Sequence, residues 1–325
     1  MPQFYKTSRE FPPVAPPARL DDPDGYLPAD GLSEAVNVAL LLGKPLLVTG
    51  DPGTGKTQLA YSIAHELQLG PAPEPGETWK PFRFTAKHNS IARDLLYRYD
   101  SLQHFADANR AKIEGGSLKS APEYIRYEAL GEAIRLAHVH QQRSVVLIDE
   151  IDKAPREFPN DLLAELERMA FEVFESGEKF KAADAARPVV VITSNGEKPL
   201  PDAFLRRCVY FHIPFPDADR LREIVDKRLG GSGLRFSPAQ LDALVAHFTE
   251  VRDLCRKKKP ATSDLLSWLQ VLDAYGFRAA GPGFRESLSP ADADLLLISY
   301  SVLAKHVADL ETLSAQLPAA TRKSA

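Results

Sequence analysis

One stretch of this chain has the residue types and spacing of a phosphate cradle. Residues 50–57 read GDPGTGKT, which fits G-x-x-x-x-G-K-[ST]. Gly50, Gly53 and Gly55 let the backbone turn its N–H groups inward around phosphate oxygens, with Asp51, Pro52 and Thr54 completing the loop. Lys56 would reach the β- and γ-phosphates, the Thr57 hydroxyl would bind Mg²⁺, and Gln58 continues into a helix whose positive N-terminal end faces the anion. A second stretch, VVLIDEID at residues 145–152, ends an apolar run in acids. A carboxylate at the end of a buried strand is costly unless it binds something. Beside the cradle, Asp149 would hold the water shell of the metal, and Glu150 would polarise the attacking water as general base.

Two weaker signals follow in the chain. ITSN at residues 192–195 places polar groups at the end of another apolar run. Asn195 is the preferred contact for a γ-phosphate, ahead of Thr193 and Ser194. LPDAFLRRC at residues 200–208 ends a short helical segment in Arg206 and Arg207. One of these would stabilise transition-state charge on a neighbouring subunit's nucleotide and the other would serve an intersubunit salt bridge; Arg207 is slightly preferred for the first role.

These residues need a frame that sets them side by side. Apolar runs at 45–49, 81–86, 144–149, 188–195 and 208–213 read as five strands. A helical pattern at 31–43 precedes them, and others lie between them: 58–68, from Pro122 through HVH at 138–140, and FPNDLLAELERMAFEV from Phe158. Strands alternating with helices predict a parallel sheet covered on both faces. Beyond PFPDAD at 214–219 only helices are predicted, at about 218–229, 238–252, 262–275 and 290–310. That change marks a domain boundary, so residues 29–216 form the α/β domain and 217–325 a smaller helical one. Residues 1–28 are proline-rich and read as an extended arm, and a polar stretch at about 88–120, with Gly115 and Gly116, reads as an insertion.

Composition narrows the class. With 44% hydrophobic and 26% charged residues over 325, the chain can bury a large core without disulfides or metals. A net charge of −4 argues against a dedicated nucleic-acid coat. Cys208 and Cys255 stand far apart, as free thiols in a reducing, cytoplasmic setting. No basic start precedes an apolar run, and no stretch is long enough for a membrane span. His138 and His140 are two apart on a helix and diverge, so they do not form a metal pair. The run RKKK at 256–259 reads as a solvated loop ahead of a contact with nucleic acid or ATP. Phe171, Phe174 and Phe180 fit either a hairpin that grips a client or simple hairpin packing.

The order of these motifs, GDPGTGKT, VVLIDEID, ITSN, LPDAFLRRC and then a helical tail, resembles the AAA+ superfamily over roughly residues 30–275. Within it, SNGEKPLPDAFLRRC and DLLAELERMAFEVFESGEKF resemble the MoxR-type ATPases, and the insertion at 88–120 sits where that clade carries an element within helix 2. The resemblance implies a P-loop αβα sandwich with a small all-helical lid, ATP as the nucleotide, a hexameric homo-oligomeric ring, and chaperone-like remodelling of a protein client. A partner bearing a von Willebrand factor A domain is also implied. One departure concerns the lid: Ser263 stands where that family often carries the sensor 2 arginine; Lys257, Lys258 or Lys259 would substitute from the preceding loop, and without such a substitute coupling between ATP and the lid would be weaker. Two rival readings share the cradle. One is a nucleic-acid-dependent NTPase motor of a restriction-type system. The other is a nucleotide-gated binding module that turns over slowly.

Overall fold

The computed structural model describes residues 23–114, 120–230, 233–278, 281, 283, 284 and 288–316. The chain separates into two compact units. One holds Leu20–Asp51 and Gly55–Pro214; the other holds Phe215–Ala325 together with Pro52–Thr54. Most of the proline-rich arm, residues 1–22, lies outside the described residues, as do Gly115 and Gly116.

The first unit is built on β1 (Leu46–Gly50), β2 (Phe82–Thr85), β5 (Val145–Asp149), β8 (Val189–Ser194) and β9 (Val209–Ile213). They form one parallel sheet in the order β2-β5-β8-β1-β9. The five expected strands are all present in it. Their side chains alternate between two faces, and both faces are apolar, which is why the sequence runs read as unbroken hydrophobic stretches. On one face Leu46, Val48, Leu147 and Val191 pack with Leu32 and Ala39 of α1 (Leu32–Leu42) and Leu59, Ala60 and Ile63 of α2 (Lys56–Glu66). On the other, Leu47, Ile148 and Ile192 pack with Leu130 and Ile134 of α4 (Ala129–His140) and with Phe158 of α5 (Phe158–Asp161). Each fully buried aliphatic side chain contributes about 1.5–3 kcal/mol.

The insertion carries β3 (Tyr97–Tyr99) and α3 (Ser101–Glu114), and β3 pairs antiparallel with β4 (Ile125–Tyr127) just beyond it, with Leu95, Leu96 and Tyr97 joining the core on the α4 face of the sheet. The helix expected from Pro122 therefore begins only at Ala129. Its first residues instead pair across strands, Ile125 with Tyr99 and Tyr127 with Tyr97, because a nearby strand offers their backbone a partner. The expected helix from Phe158 to Val173 is likewise cut short. After α5 and α6 (Leu163–Arg168), Met169 takes φ 44°, and the chain enters the hairpin β6 (Ala170–Glu172) and β7 (Lys179–Lys181). Within it Phe171 and Phe180 stack at 5.3 Å, while Phe174 at the turn is exposed. A four-residue helix, α7 (Asp202–Leu205), precedes β9.

The second unit is helical: α8 (Ala218–Leu229), α9 (Pro238–Leu254), α10 (Thr262–Tyr275), α11 (Pro290–Leu303) and α12 (Val307–Ala315). Its core centres on Phe248, Leu265, Trp268 and Tyr300. Buried polar groups are paired within it: Trp268 Nε1 donates to Ser299 Oγ at 2.8 Å, and His247 Nε2 meets the Tyr300 hydroxyl at 2.8 Å. The single helix expected over 290–310 is two, because the chain turns extended at Ala304 and restarts where the His306 ring accepts the Ala308 N–H.

Candidate functional site

The sheet order brings the ends of β5, β8 and β1 side by side, and the phosphate loop leaves from the end of β1. In open α/β sheets this is where ligands sit. The loop's shape depends on glycine. Gly53 has φ 78° and Gly55 φ 87°, and a Cβ on Gly55 would stand 3.0 Å from the Tyr26 ring. Lys56, only 7% exposed, folds back so that Nζ donates to the carbonyls of Gly50 (2.7 Å) and Asp51 (2.8 Å). Burial lowers its pKa; the carboxylates of Asp51, Asp152, Asp149 and Glu150 oppose that shift. The loop thus holds a cation at its centre, with backbone oxygens as its hydrogen-bond partners.

Asp149, 3% exposed at the end of β5, is the hub of the site. Its Oδ1 accepts from Thr57 Oγ1 at 2.9 Å and from Thr193 Oγ1 at 2.7 Å. Its Oδ2 accepts from Arg83 Nη2 at 2.7 Å. Three elements, α2, β8 and β2, therefore converge on one carboxylate. Thr193 also accepts the N–H of Glu150 at 2.9 Å, so its hydroxyl bridges the two acids. Glu150 has φ 58°, a left-handed conformation uncommon outside glycine, asparagine and aspartate. Its carboxylate meets Lys153 Nζ at 2.8 Å, and that hydrogen bond raises the lysine's pKa.

Asn195 stands just beyond β8. Its backbone N–H donates to Asp152 Oδ2 at 3.2 Å, and its half-buried side-chain amide makes no hydrogen bond among the described residues. Lys56, Thr57, Asp149 and Thr193 are in direct hydrogen-bonded reach of one another or of the loop, with Glu150 and Asn195 tied to the same strand ends. Arg83, Lys153 and the bridging role of Thr193 are additions to the set read from the sequence. The only sign of Arg83 is a charge inside the run PFRFTA.

The two arginines lie elsewhere. They precede β9, whose first residue pairs with Leu46 at the start of β1, so they sit at the opposite end of the sheet from the loop. They also differ from each other. Arg207 is ion-paired with Glu167, and its Nη1 donates to the Ala203 carbonyl at 2.9 Å. Arg206 is exposed, and its guanidinium has no partner among the described residues. Beside Arg207 opens a cleft of about 430 Å³ lined by Pro45, Leu166, Glu167, Phe204 and Cys208 among others. Burial there pushes the Cys208 thiol up to about 12.

The remaining signals have structural roles. His138 Nδ1 contacts the Lys181 carbonyl at 3.0 Å, and its ring packs edge-on against Phe180. The basic run is held by its backbone: the N–H groups of Arg256, Lys257 and Lys258 all donate to the Asp309 carboxylate, leaving the side chains exposed.

Among the described residues no group of three or more His, Cys, Asp or Glu forms a metal cage. Thr57 Oγ1 and Asp149 Oδ1 instead offer two adjacent hard oxygens beside a phosphate loop. That suits a cation which keeps its waters and takes its other ligands from a bound phosphate. Among the described residues no helix is long and apolar enough to cross a membrane.

Comparison with known proteins bears on the same segment. The family model described as "AAA domain (dynein-related subfamily)" matches residues 45–208, which carry the loop, the acids, Asn195 and both arginines. No curated protein matches the chain. Among solved structures, the FIGL-1 AAA domain in complex with ADP is similar at 16% identity, covering 93% of this chain and 90% of that one, with a TM-score of 0.46.

Proposed function

The chain belongs to the AAA domain (dynein-related subfamily) family, and from that premise we propose that it hydrolyses ATP with Mg²⁺ to drive remodelling of a partner protein, as a ring of identical subunits. The observation that carries this reading is the hydrogen-bonded cluster of Thr57, Asp149 and Thr193 beside a loop with Lys56 at its centre. Lys56 exchanges its two carbonyl partners for phosphate oxygens. Thr57 and Asp149 hold the metal, which neutralises charge on the phosphates when bound. Glu150 takes the proton of the attacking water after leaving Lys153, and the free amide of Asn195 meets the γ-phosphate. Phosphoryl transfer needs positioning and charge stabilisation more than covalent chemistry, and this set supplies both.

The charge at the far side of the γ-phosphate comes from another subunit in this reading. Arg206 is the residue offered in trans because it is exposed and unengaged, while Arg207 is held by Glu167 and serves to position it. A hexamer, a client threaded past the exposed Phe174, a partner with a von Willebrand factor A domain and a cytoplasmic setting belong to the MoxR-type form of this proposal.

One observation favours slow basal turnover, nearer to a nucleotide-gated module. Both acids are engaged by cations of the same chain, Asp149 by Arg83 and Glu150 by Lys153. A partner or neighbour that loosens these pairs would set the rate.

The test is phosphate release with and without Mg²⁺, alongside nucleotide binding. Wild type is expected to release phosphate only with Mg²⁺, and Lys56→Ala to lose both binding and turnover. Tight nucleotide binding by Lys56→Ala would count against the cradle, and turnover undiminished by a chelator would count against the metal.

A further inference from the structure

Asp152 closes the acidic run VVLIDEID, yet none of the chemistry above uses it. It lies in a single 3₁₀ turn, Ile151–Lys153, beyond β5, and is 2% exposed. Its Oδ2 receives two backbone donors from the turn after β8: the N–H of Asn195 at 3.2 Å and the N–H of Glu197 at 2.9 Å. Its Oδ1 is buried and has no hydrogen-bond partner among the described residues. The same turn is pinned from its other side, where Gly196, at φ 75°, donates its N–H to Ser194 Oγ at 3.1 Å. One carboxylate thus ties the ends of two neighbouring strands together. The main chain of Asn195 is fixed on both sides while its side-chain amide stays unengaged. Among the carboxylates that act on the Lys56 ammonium, Asp152 ranks next after Asp51, so it lies within electrostatic reach of the phosphate loop.

We propose that Asp152 is the positioning residue through which Asn195 distinguishes a nucleoside triphosphate from a diphosphate. It holds the Asn195–Glu197 turn so that the free amide points at the terminal phosphate. This rests on the reading of the loop as a nucleotide site with Asn195 at the γ-phosphate. An amide half-held on a loose turn would spend part of its time out of reach, and a misplacement of about 1 Å is enough to cost roughly two orders of magnitude in a positioned reaction. The need is for an acceptor oxygen rather than for charge. An asparagine at 152 keeps an oxygen where Oδ2 receives both N–H groups.

The experiment is calorimetric titration of the full-length protein, with Mg²⁺ present, using ADP and a non-hydrolysable β,γ-imido analogue of ATP. Wild type is compared with Asn195→Ala, Asp152→Ala and Asp152→Asn, each checked for folding by thermal melting. The expected result is that Asn195→Ala and Asp152→Ala lower the preference for the triphosphate by a similar factor. That factor is about tenfold, equivalent to about 1.4 kcal/mol. Asp152→Asn is expected to recover most of it. In steady-state assays kcat falls for Asp152→Ala more than KM rises. A preference altered in Asn195→Ala but intact in folded Asp152→Ala overturns the inference alone. A preference unchanged in Asn195→Ala overturns the reading of Asn195 and this inference with it. If Asp152→Ala does not fold, Asp152→Asn decides: recovery supports the acceptor role, and loss as complete as that of Asn195→Ala overturns it.

Discussion

The two ends of the sheet are finished in opposite ways. At the carboxyl ends of β1, β5 and β8, nearly every polar group of the candidate site already has a partner: Lys56 two carbonyls, Asp149 three donors, Glu150 a lysine. At the opposite end, α7 runs out into an exposed Arg206 with nothing to hold, next to an Arg207 that Glu167 keeps in place. Burial explains the difference. An unpaired charge deep in the first region would be costly, so it is either paired within the chain or waits for a ligand to replace its partners. An exposed guanidinium is hydrated and costs little, so it can stay free until another molecule arrives. In the reading proposed above, the first region binds the nucleotide and the second supplies the charge the reaction needs.

The strongest way to break that contrast is at Arg206. Arg206→Ala is expected to lower turnover by about 10³-fold or more while leaving nucleotide affinity nearly intact, as for a charge supplied only in the transition state. Binding and phosphate-release assays on the same preparation separate the two effects. Glu150→Gln is expected to lower turnover by about 10²–10⁴-fold, again with binding retained, because a general base acts on water and not on the nucleotide. Lys153→Ala sharpens the contrast from the other side. It frees Glu150 and is expected to raise basal turnover up to about fivefold, the most that a partly exposed ion pair worth about 1 kcal/mol can restrain. A fall in rate would instead mean that Lys153 orients the base. Glu150 raises the Lys153 pKa above its ordinary 10.5. On the alkaline side the pair is lost only as pH climbs through that raised value, so mild alkali should not imitate this variant. The smallest effect belongs to Glu167→Ala. It frees Arg207 at the surface and is expected to cost under about 1 kcal/mol of stability by chemical denaturation.

What could be read from the residues alone follows from how local each signal is. The candidate phosphate loop is legible because the residue types proposed to bind phosphate and metal fall within eight consecutive residues. Asp149 and Glu150 stand out as candidates because acids end the apolar run VVLID beside a glycine-rich loop elsewhere in the chain. Arg83 and Thr193 take their meaning from strand neighbours that are far away in the chain: β2 lies beside β5, and β5 beside β8. No spacing in the sequence encodes that adjacency. The same holds for Asp152, whose partners are more than forty residues on. Periodicity failed where tertiary pairing overrode it, as at Ile125–Tyr127, and where a single residue, Met169, turned a helix into a hairpin. The pair Arg206–Arg207 could be seen but not divided, because only the position of Glu167 separates a held arginine from a free one.

The central claim is that the reaction needs one subunit's acids and another's Arg206. Its most direct test mixes two variants that are each inactive alone, Glu150→Gln and Arg206→Ala, and follows Mg²⁺-dependent phosphate release against the mixing ratio. In a mixed assembly the Arg206→Ala subunit keeps its Glu150 and receives an arginine from its neighbour, so the predicted result is activity that appears on mixing and peaks near equal proportions. Full activity of Arg206→Ala by itself, or no recovery at any ratio although the two variants co-assemble, would contradict it.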